Sequence, residues 1–135
     1  MRLSKLTAPK KAFFDFPGDE DGARFEITLL TPKQEREIST KAQKVIARDG
    51  GGEMVFDTTT AGALRASMCL TDCQNLYLDP ASEKEEKMTP TVKRRLLDEV
   101  PGFEAWVLEC YGKLREEHEA EQEAERKNSS TSANG

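Results

Sequence analysis

The sequence predicts a mainly α fold of about four helices with an N-terminal β-hairpin. Apolar and polar residues alternate near the N-terminus, which is the period of a strand with one buried face. Two Thr-Pro pairs, at Thr31 and Thr89, each begin a run in which apolar residues recur every three or four positions. The last third carries a helical apolar stripe made of Phe103, Trp106, Val107, Cys110, Tyr111 and Leu114.

The predicted hairpin covers residues 11–30. Phe25, Ile27 and Leu29 alternate with charged or polar residues in its second strand, and residues 17–22 supply proline and glycine for the turn. A two-stranded hairpin is only marginally stable in water. We therefore expect its apolar face to lie on helices or on another copy of the chain.

Four helices follow the hairpin in this prediction. Thr31, Pro32 and Gln34 form a capped start for the first helix, and Gly50 to Gly52 end it. The second runs from about residue 60 to residue 75 and is the expected centre of the core. The third lies between Thr89 and Val100, and the fourth begins at Pro101. The predicted inward face of the first helix consists of Ile38, Ala42, Val45 and Ile46.

The chain divides into four parts by composition. Residues 1–10 are predicted to be flexible, and residues 11–114 to form a single helical domain with the hairpin at its start. Residues 115–127 keep a high helix propensity but have no apolar face, so they are predicted to form a charged helical extension. Residues 128–135 are polar and small, which predicts a disordered tail.

Charge and hydropathy argue against nucleic acid and membrane as partners. The net charge is -5 and no long basic cluster is present, so a nucleic-acid surface is not expected. No apolar run approaches the ~20 residues that span a bilayer, and the N-terminus lacks the apolar region of a secretory signal. We expect a cytoplasmic protein without membrane contact.

The residues that carry chemistry form no complete site. Cys69 and Cys73 are four apart and amount to half of a zinc site, but His118, the only histidine, lies in the charged extension. The favoured interpretation is that both cysteines are small apolar residues on a packed helix. The acidic turn at residues 19–22 lacks the spacing of a calcium loop, and the glycines at 50–52 lack the context of a phosphate-binding loop. The sequence thus predicts no enzyme, no metal and no cofactor.

Large aromatic residues are the candidate contacts to other proteins. Aromatic side chains with polar atoms recur at interfaces, although the place of Trp106 within the apolar stripe also favours core packing. The candidate partner or self-association contacts are Phe13, Phe14, Phe16, Phe25, Trp106 and Tyr111.

Three segments resemble the tail assembly chaperones of long-tailed bacteriophages. Residues 16–35 are similar to a hairpin that runs into a capped first helix in that family. Leu70-Thr-Asp72 is similar to its central segment, and residues 89–106 are similar to its two closing helices joined at a proline. The resemblance covers roughly residues 11 to 114.

The resemblance implies a function without chemistry. Members of that family coat the tape measure protein during tail assembly, associate with one another, and leave before the virion is finished. It therefore implies binding to the tape measure protein and other tail proteins, self-association, a place in the host cytoplasm and absence from the mature virion. The alternative is a small helical adaptor or regulatory protein that binds one folded protein partner.

Overall fold

The computed structural model describes residues 2–133, with the side chains of residues 2–128, as an α+β fold. Helices and strands are interspersed along the chain, and the strands form two separate antiparallel sheets. In chain order the elements are α1 (Leu3–Thr7), β1 (Lys11–Asp15), β2 (Arg24–Thr28), α2 (Pro32–Lys41), β3 (Gln43–Arg48), β4 (Gly51–Phe56), α3 (Thr58–Cys69), β5 (Leu70–Gln74), α4 (Pro90–Glu99) and α5 (Phe103–Ala133).

The predicted fold class, mainly α with about four helices, is wrong. Residues 2–133 contain five helices and five strands, so strands beyond the N-terminal hairpin have to be explained. Two segments that were predicted to be helical are extended instead: the end of the first helix and the end of the second. Both errors have a physical cause in strand pairing, which helical spacing of apolar residues does not report.

The N-terminal hairpin is confirmed, but it does not stand alone. β1 pairs with β2 from Lys11↔Thr28 to Asp15↔Arg24, and β2 pairs on its other edge with β5. The sheet order is therefore β1-β2-β5. A third strand satisfies the hydrogen-bonding groups along one edge of the hairpin, which a two-stranded hairpin leaves open.

β5 replaces the last turns of the predicted second helix. α3 ends at Cys69, and Leu70 already has the extended backbone of a strand. Leu70 and Cys73 turn toward the core, and Cys73 lies opposite Phe25 of β2. The strand ends before Asn75, whose φ of 59° is a left-handed conformation that asparagine tolerates.

The first predicted helix is shorter than expected. The capping box at its start is confirmed: the Thr31 hydroxyl accepts from the Gln34 backbone amide, and the Gln34 side chain accepts from the Thr31 amide. α2 then ends at Lys41. Val45 and Ile46 lie in a strand and are exposed, so the prediction that they face inward is wrong.

The main core lies between the β1-β2-β5 sheet and helices α3, α4 and α5. Ile27, Leu70 and Val107 are fully buried there. A smaller cluster of Ile38, Ala42 and Ala61 joins α2 to α3. Four aromatic rings pack against one another in the main core, with centroids 5.0–6.2 Å apart, namely Phe16, Phe25, Phe103 and Trp106.

The long helix α5 changes character along its length. From Phe103 to Leu114 it carries the predicted stripe, and Leu114 is its last buried side chain through residue 128. We call residues 115–127 the rod. The backbone is helical to Ala133, whereas disorder was predicted from residue 128; residues 134–135 of that predicted tail, and Met1 of the predicted flexible N-terminus, lie outside the described residues.

Candidate functional site

The predicted aromatic contacts of the first sheet divide between its two faces. Phe25 is 2% exposed at the centre of the core. Phe14 and Phe16 are half-buried and pack against that core from β1 and the residue after it. Phe13 lies on the opposite face, where the Arg24 guanidinium sits 5.4 Å from the centre of its ring. Phe13 is thus the member of this group that the structure places on an outward face.

The predicted aromatic contacts of α5 also face the body. Trp106 is half-buried and its ring packs edge-on against Phe16, with centroids 5.0 Å apart. Tyr111 is 4% exposed, and its hydroxyl lies 3.1 Å from Oε1 of Glu35. The pKa of Tyr111 is raised, chiefly because burial disfavours the phenolate. A role for these two side chains in partner contact stays a prediction.

Charged groups hold Tyr111 in place between three helices. Arg65 of α3 forms an ion pair with Glu35 of α2 at 2.9 Å, and its guanidinium lies 5.9 Å from the centre of the Tyr111 ring. The guanidinium of Arg115 lies 5.7 Å from the same ring centre. The polar atoms of this cluster connect α2, α3 and α5, so its role is to fix the packing of the helices.

The β3-β4 hairpin is the most exposed apolar element of the chain, and we call it the arm (residues 43–56). Its register places Val45 opposite Met54, with Phe56 two residues further along the same face. Val45 is 66% exposed, Met54 61% and Phe56 53%. No other element in the described part of the chain brings three large apolar side chains together at such exposure.

The opposite face of the arm is mixed, with charged side chains beside the aliphatic Ile46 and Val55. Arg48 and Glu53 form an ion pair at 2.6 Å, and Lys44 approaches Asp57 at 3.4 Å. These charges keep that face hydrated and contribute little to stability because they are exposed. The two faces of the arm therefore differ: one exposes large apolar side chains with no charge among them, and the other combines aliphatic and charged side chains.

The arm meets the body through a narrow base. The Asp57 backbone amide donates to the Ala42 carbonyl oxygen at 2.7 Å, which closes the hairpin where it leaves α2 and returns to α3. The Asp57 side chain also accepts from the amides of Thr59 and Thr60 and so caps α3. The pKa of Asp57 is lowered, first of all by the hydrogen bond from the Thr60 side chain. Residue 57 thus fixes both the base of the arm and the start of α3.

Two glycines shape the arm. Gly50 has a φ of 88°, a left-handed conformation that suits the tight turn between Arg48 and Gly51. A Cβ atom on Gly52 would lie 2.7 Å from Cγ1 of Val45, so glycine leaves room for that side chain to lie across β4. The pair Asp49-Gly50 between apolar strands is a strong hairpin signal. Sequence reasoning missed it because the three glycines were interpreted as a helix end.

The cysteines are buried thiols without the features of a reactive site. Cys69, Cys73 and Cys110 are all reduced and buried. Burial raises the pKa of Cys69 to about 12 and those of Cys73 and Cys110 to about 11, so the thiolate is disfavoured near neutral pH. Within residues 2–133, no cluster of His, Cys, Asp or Glu is arranged to hold a metal ion.

The acidic turn of the first hairpin has a local structural role. A carboxylate oxygen of Asp19 accepts from the Ala23 backbone amide at 2.8 Å, which closes the turn between β1 and β2. His118 lies in the rod, about two helical turns beyond Cys110, and belongs to no metal-binding cluster among the described residues. No nucleophile among the described side chains has an adjacent histidine base in a hydrogen bond.

No protein-family model, curated protein or solved structure matches this chain. In the part of the chain that the structure describes, each helix is too short or too polar to cross a bilayer. The class that fold and site define is therefore a small α+β protein with an arm that exposes an apolar face, a charged rod and no assembled catalytic cluster among residues 2–128.

Proposed function

We propose that this protein is a non-enzymatic tail assembly chaperone of a long-tailed bacteriophage. It binds the tape measure protein, associates with further copies of itself during tail morphogenesis in the host cytoplasm, and is absent from the mature virion. The observation that carries the proposal is the apolar face of the arm. The three segments that resemble the family give the arm its proposed context.

The exposure of the arm supports binding to another protein. Contiguous apolar side chains on a protein surface mark interaction sites, because burying them in a contact is favourable by ~25 cal/mol per Å². Val45, Met54 and Phe56 form such a face on a hairpin that makes few contacts with its own body. Both outer strand edges of the two-stranded arm are also unpaired within the described residues.

The rest of the molecule fits a protein that acts by binding and catalyses no reaction. Phe25, Phe103 and Tyr111 are buried in the main core, the thiols are buried, and the rod presents only polar and charged side chains with small alanines. A protein of this kind acts by contact and can be removed again without a chemical step. That is what temporary coating of an aggregation-prone helical partner requires.

Self-association is tested first with an arm variant and a matched control. The double substitution V45D and M54D places two charges on the arm face, and a charge that loses water in a contact is costly. Leu78→Asp introduces one such charge at a leucine that is 43% exposed outside the arm. Size-exclusion chromatography with light scattering should give a lower mass for the arm variant than for the wild type and Leu78→Asp.

Partner binding is tested by co-expression with the longest predicted helical protein encoded just downstream. The wild-type chain should keep that protein in the supernatant and co-purify with it in several copies, whereas the arm variant should not. A single copy bound to one folded protein would instead support the adaptor function. A wild-type chain that stays monomeric and leaves the downstream protein insoluble would refute the chaperone function.

A further inference from the structure

Helix α2 carries an exposed basic strip in an acidic protein. Lys33, Arg36 and Lys41 line one shallow depression on the surface of this helix, across an arc of roughly 140°. All three are exposed and none has an ion pair or side-chain hydrogen bond among residues 2–128. One half-buried carboxylate, Glu37, lies between them. The strip therefore presents three unpaired cations on a chain of net charge -5.

One side of the rod is already paired with its own body. Glu117 and Glu121 lie four residues apart and both approach Nζ of Lys10, at 3.9 Å and 2.5 Å. Lys10 stands at the start of β1, so these contacts hold the rod against the N-terminal sheet. The orientation of the rod is thereby set by the folded body.

The other side of the rod is an acidic strip. Glu116, Glu119 and Glu123 recur at three- and four-residue steps and face away from Lys10. Glu116 and Glu119 have no partner among the described side chains, and Glu123 contacts Arg126 at 3.2 Å. Within one copy, no ion pair of the described side chains joins this strip to α2. Glu116, Glu119 and the three cations of α2 are therefore available for contact with another molecule.

The two strips complement each other in charge and length. Seven residues of helix separate the ends of the acidic strip and eight those of the basic strip, which is roughly 10 Å and roughly 12 Å at the rise of an α-helix. We propose that the acidic strip of one copy contacts the basic strip of α2 in a second copy. This contact rests on the self-association proposed above and specifies its direction.

Such a contact joins two different surfaces of identical chains. A heterologous contact of this kind repeats from copy to copy and forms an open row unless the rotation closes a ring. A row is the assembly that can follow a long helical partner. Because all six side chains are exposed, the contact depends on salt: the Debye length falls from ~8 Å at physiological ionic strength to ~3 Å at 1 M.

The test reverses each strip separately and then together. One variant carries K33E, R36E and K41E, a second carries E116K, E119K and E123K, and a third carries all six. Three exposed ion pairs are lost in each single-strip variant, so self-association in low salt should weaken about tenfold or more. The third variant should recover self-association in low salt, and an equimolar mixture of the first two should do the same. Sedimentation velocity at low and high salt measures these four samples and the wild type.

The outcomes separate this contact from the proposed function. Recovery by the combined variant, together with dissociation of the wild type in high salt, supports it. Wild-type association that is insensitive to salt, or a combined variant as weak as the single-strip variants, overturns it. If the strip contact is overturned in this way but the V45D and M54D variant has a lower mass than the wild type, self-association through the arm stands. A wild-type chain that is monomeric at every salt and concentration overturns both.

Discussion

The two hairpins of this protein both pair short strands that carry large apolar residues, but only one of them enters the core. The β1-β2 hairpin gains a third strand, β5, and buries Phe25 and Ile27 against the helices. The arm remains two-stranded and leaves Val45, Met54 and Phe56 exposed. Apolar residues in a hairpin therefore do not by themselves decide burial, because the rest of the chain determines whether a face enters the core.

The difference between the hairpins predicts different roles for their apolar residues. Residues of the first hairpin should control stability, because removing them leaves cavities in a packed core. Residues of the arm should control association and have little effect on the folded monomer. Each prediction below tests one side of this division.

The largest expected effect is the loss of an aromatic ring from the first hairpin. Phe25→Ala should lower the free energy of unfolding by about 3–5 kcal/mol, because Phe25 is 2% exposed and contacts three other rings. Phe56→Ala on the arm is the matched control and should change it by about 0.5 kcal/mol or less. Urea denaturation at a dilution where the protein is monomeric measures both. Equal losses for the two variants would contradict the division.

A smaller effect should appear at alkaline pH. Burial raises the pKa of Cys69 from 9.0 to about 12, so between these values the unfolded chain releases a proton that the folded chain keeps. The unfolded state binds fewer protons there, and the free energy of unfolding falls as pH rises. Cys69→Ala should show a shallower fall over pH 9–11 in the same denaturation assay. Identical slopes would show that the Cys69 thiol meets solvent in the folded protein.

The smallest effect is expected from removal of the rod. Truncation after Arg115 keeps the last buried side chain, Leu114, and the contact of Arg115 with Tyr111. It removes the exposed pairs of Lys10 with the rod, which contribute about 0–1 kcal/mol. Thermal melts should therefore differ by only a few degrees. A collapse of the melting transition would mean that the rod belongs to the folded core.

The sequence predicted the elements whose signals are local. The Thr31–Gln34 capping box, the Thr89 cap and the apolar stripe from Phe103 to Leu114 are all confirmed because capping and helical spacing depend on nearby residues. The helix predicted through Ile46 failed because the Asp49-Gly50 turn signal was assigned to a helix end.

The rest of the fold and the candidate site depend on distant residues. β5 forms because β2, more than forty residues earlier in the chain, offers an open edge. The exposure of Val45 depends on what α2 and α3 leave uncovered, which no spacing pattern contains. For the same reason, the choice of aromatic residues as partner contacts selected Phe25 and Tyr111, which are buried, and missed the exposed apolar face of the arm.

Replacement of the whole arm tests the central claim most directly. The Ala42 carbonyl oxygen and the Asp57 amide are 2.7 Å apart, so residues 43–56 can be replaced by a short glycine-asparagine turn without moving α2 or α3. The measurement is the mass of that variant by light scattering, with its melting temperature recorded on the same sample. We predict a monomer that melts close to the wild-type temperature. A variant that unfolds, or that keeps the wild-type assembly mass, would contradict the assignment of the arm to contact between molecules.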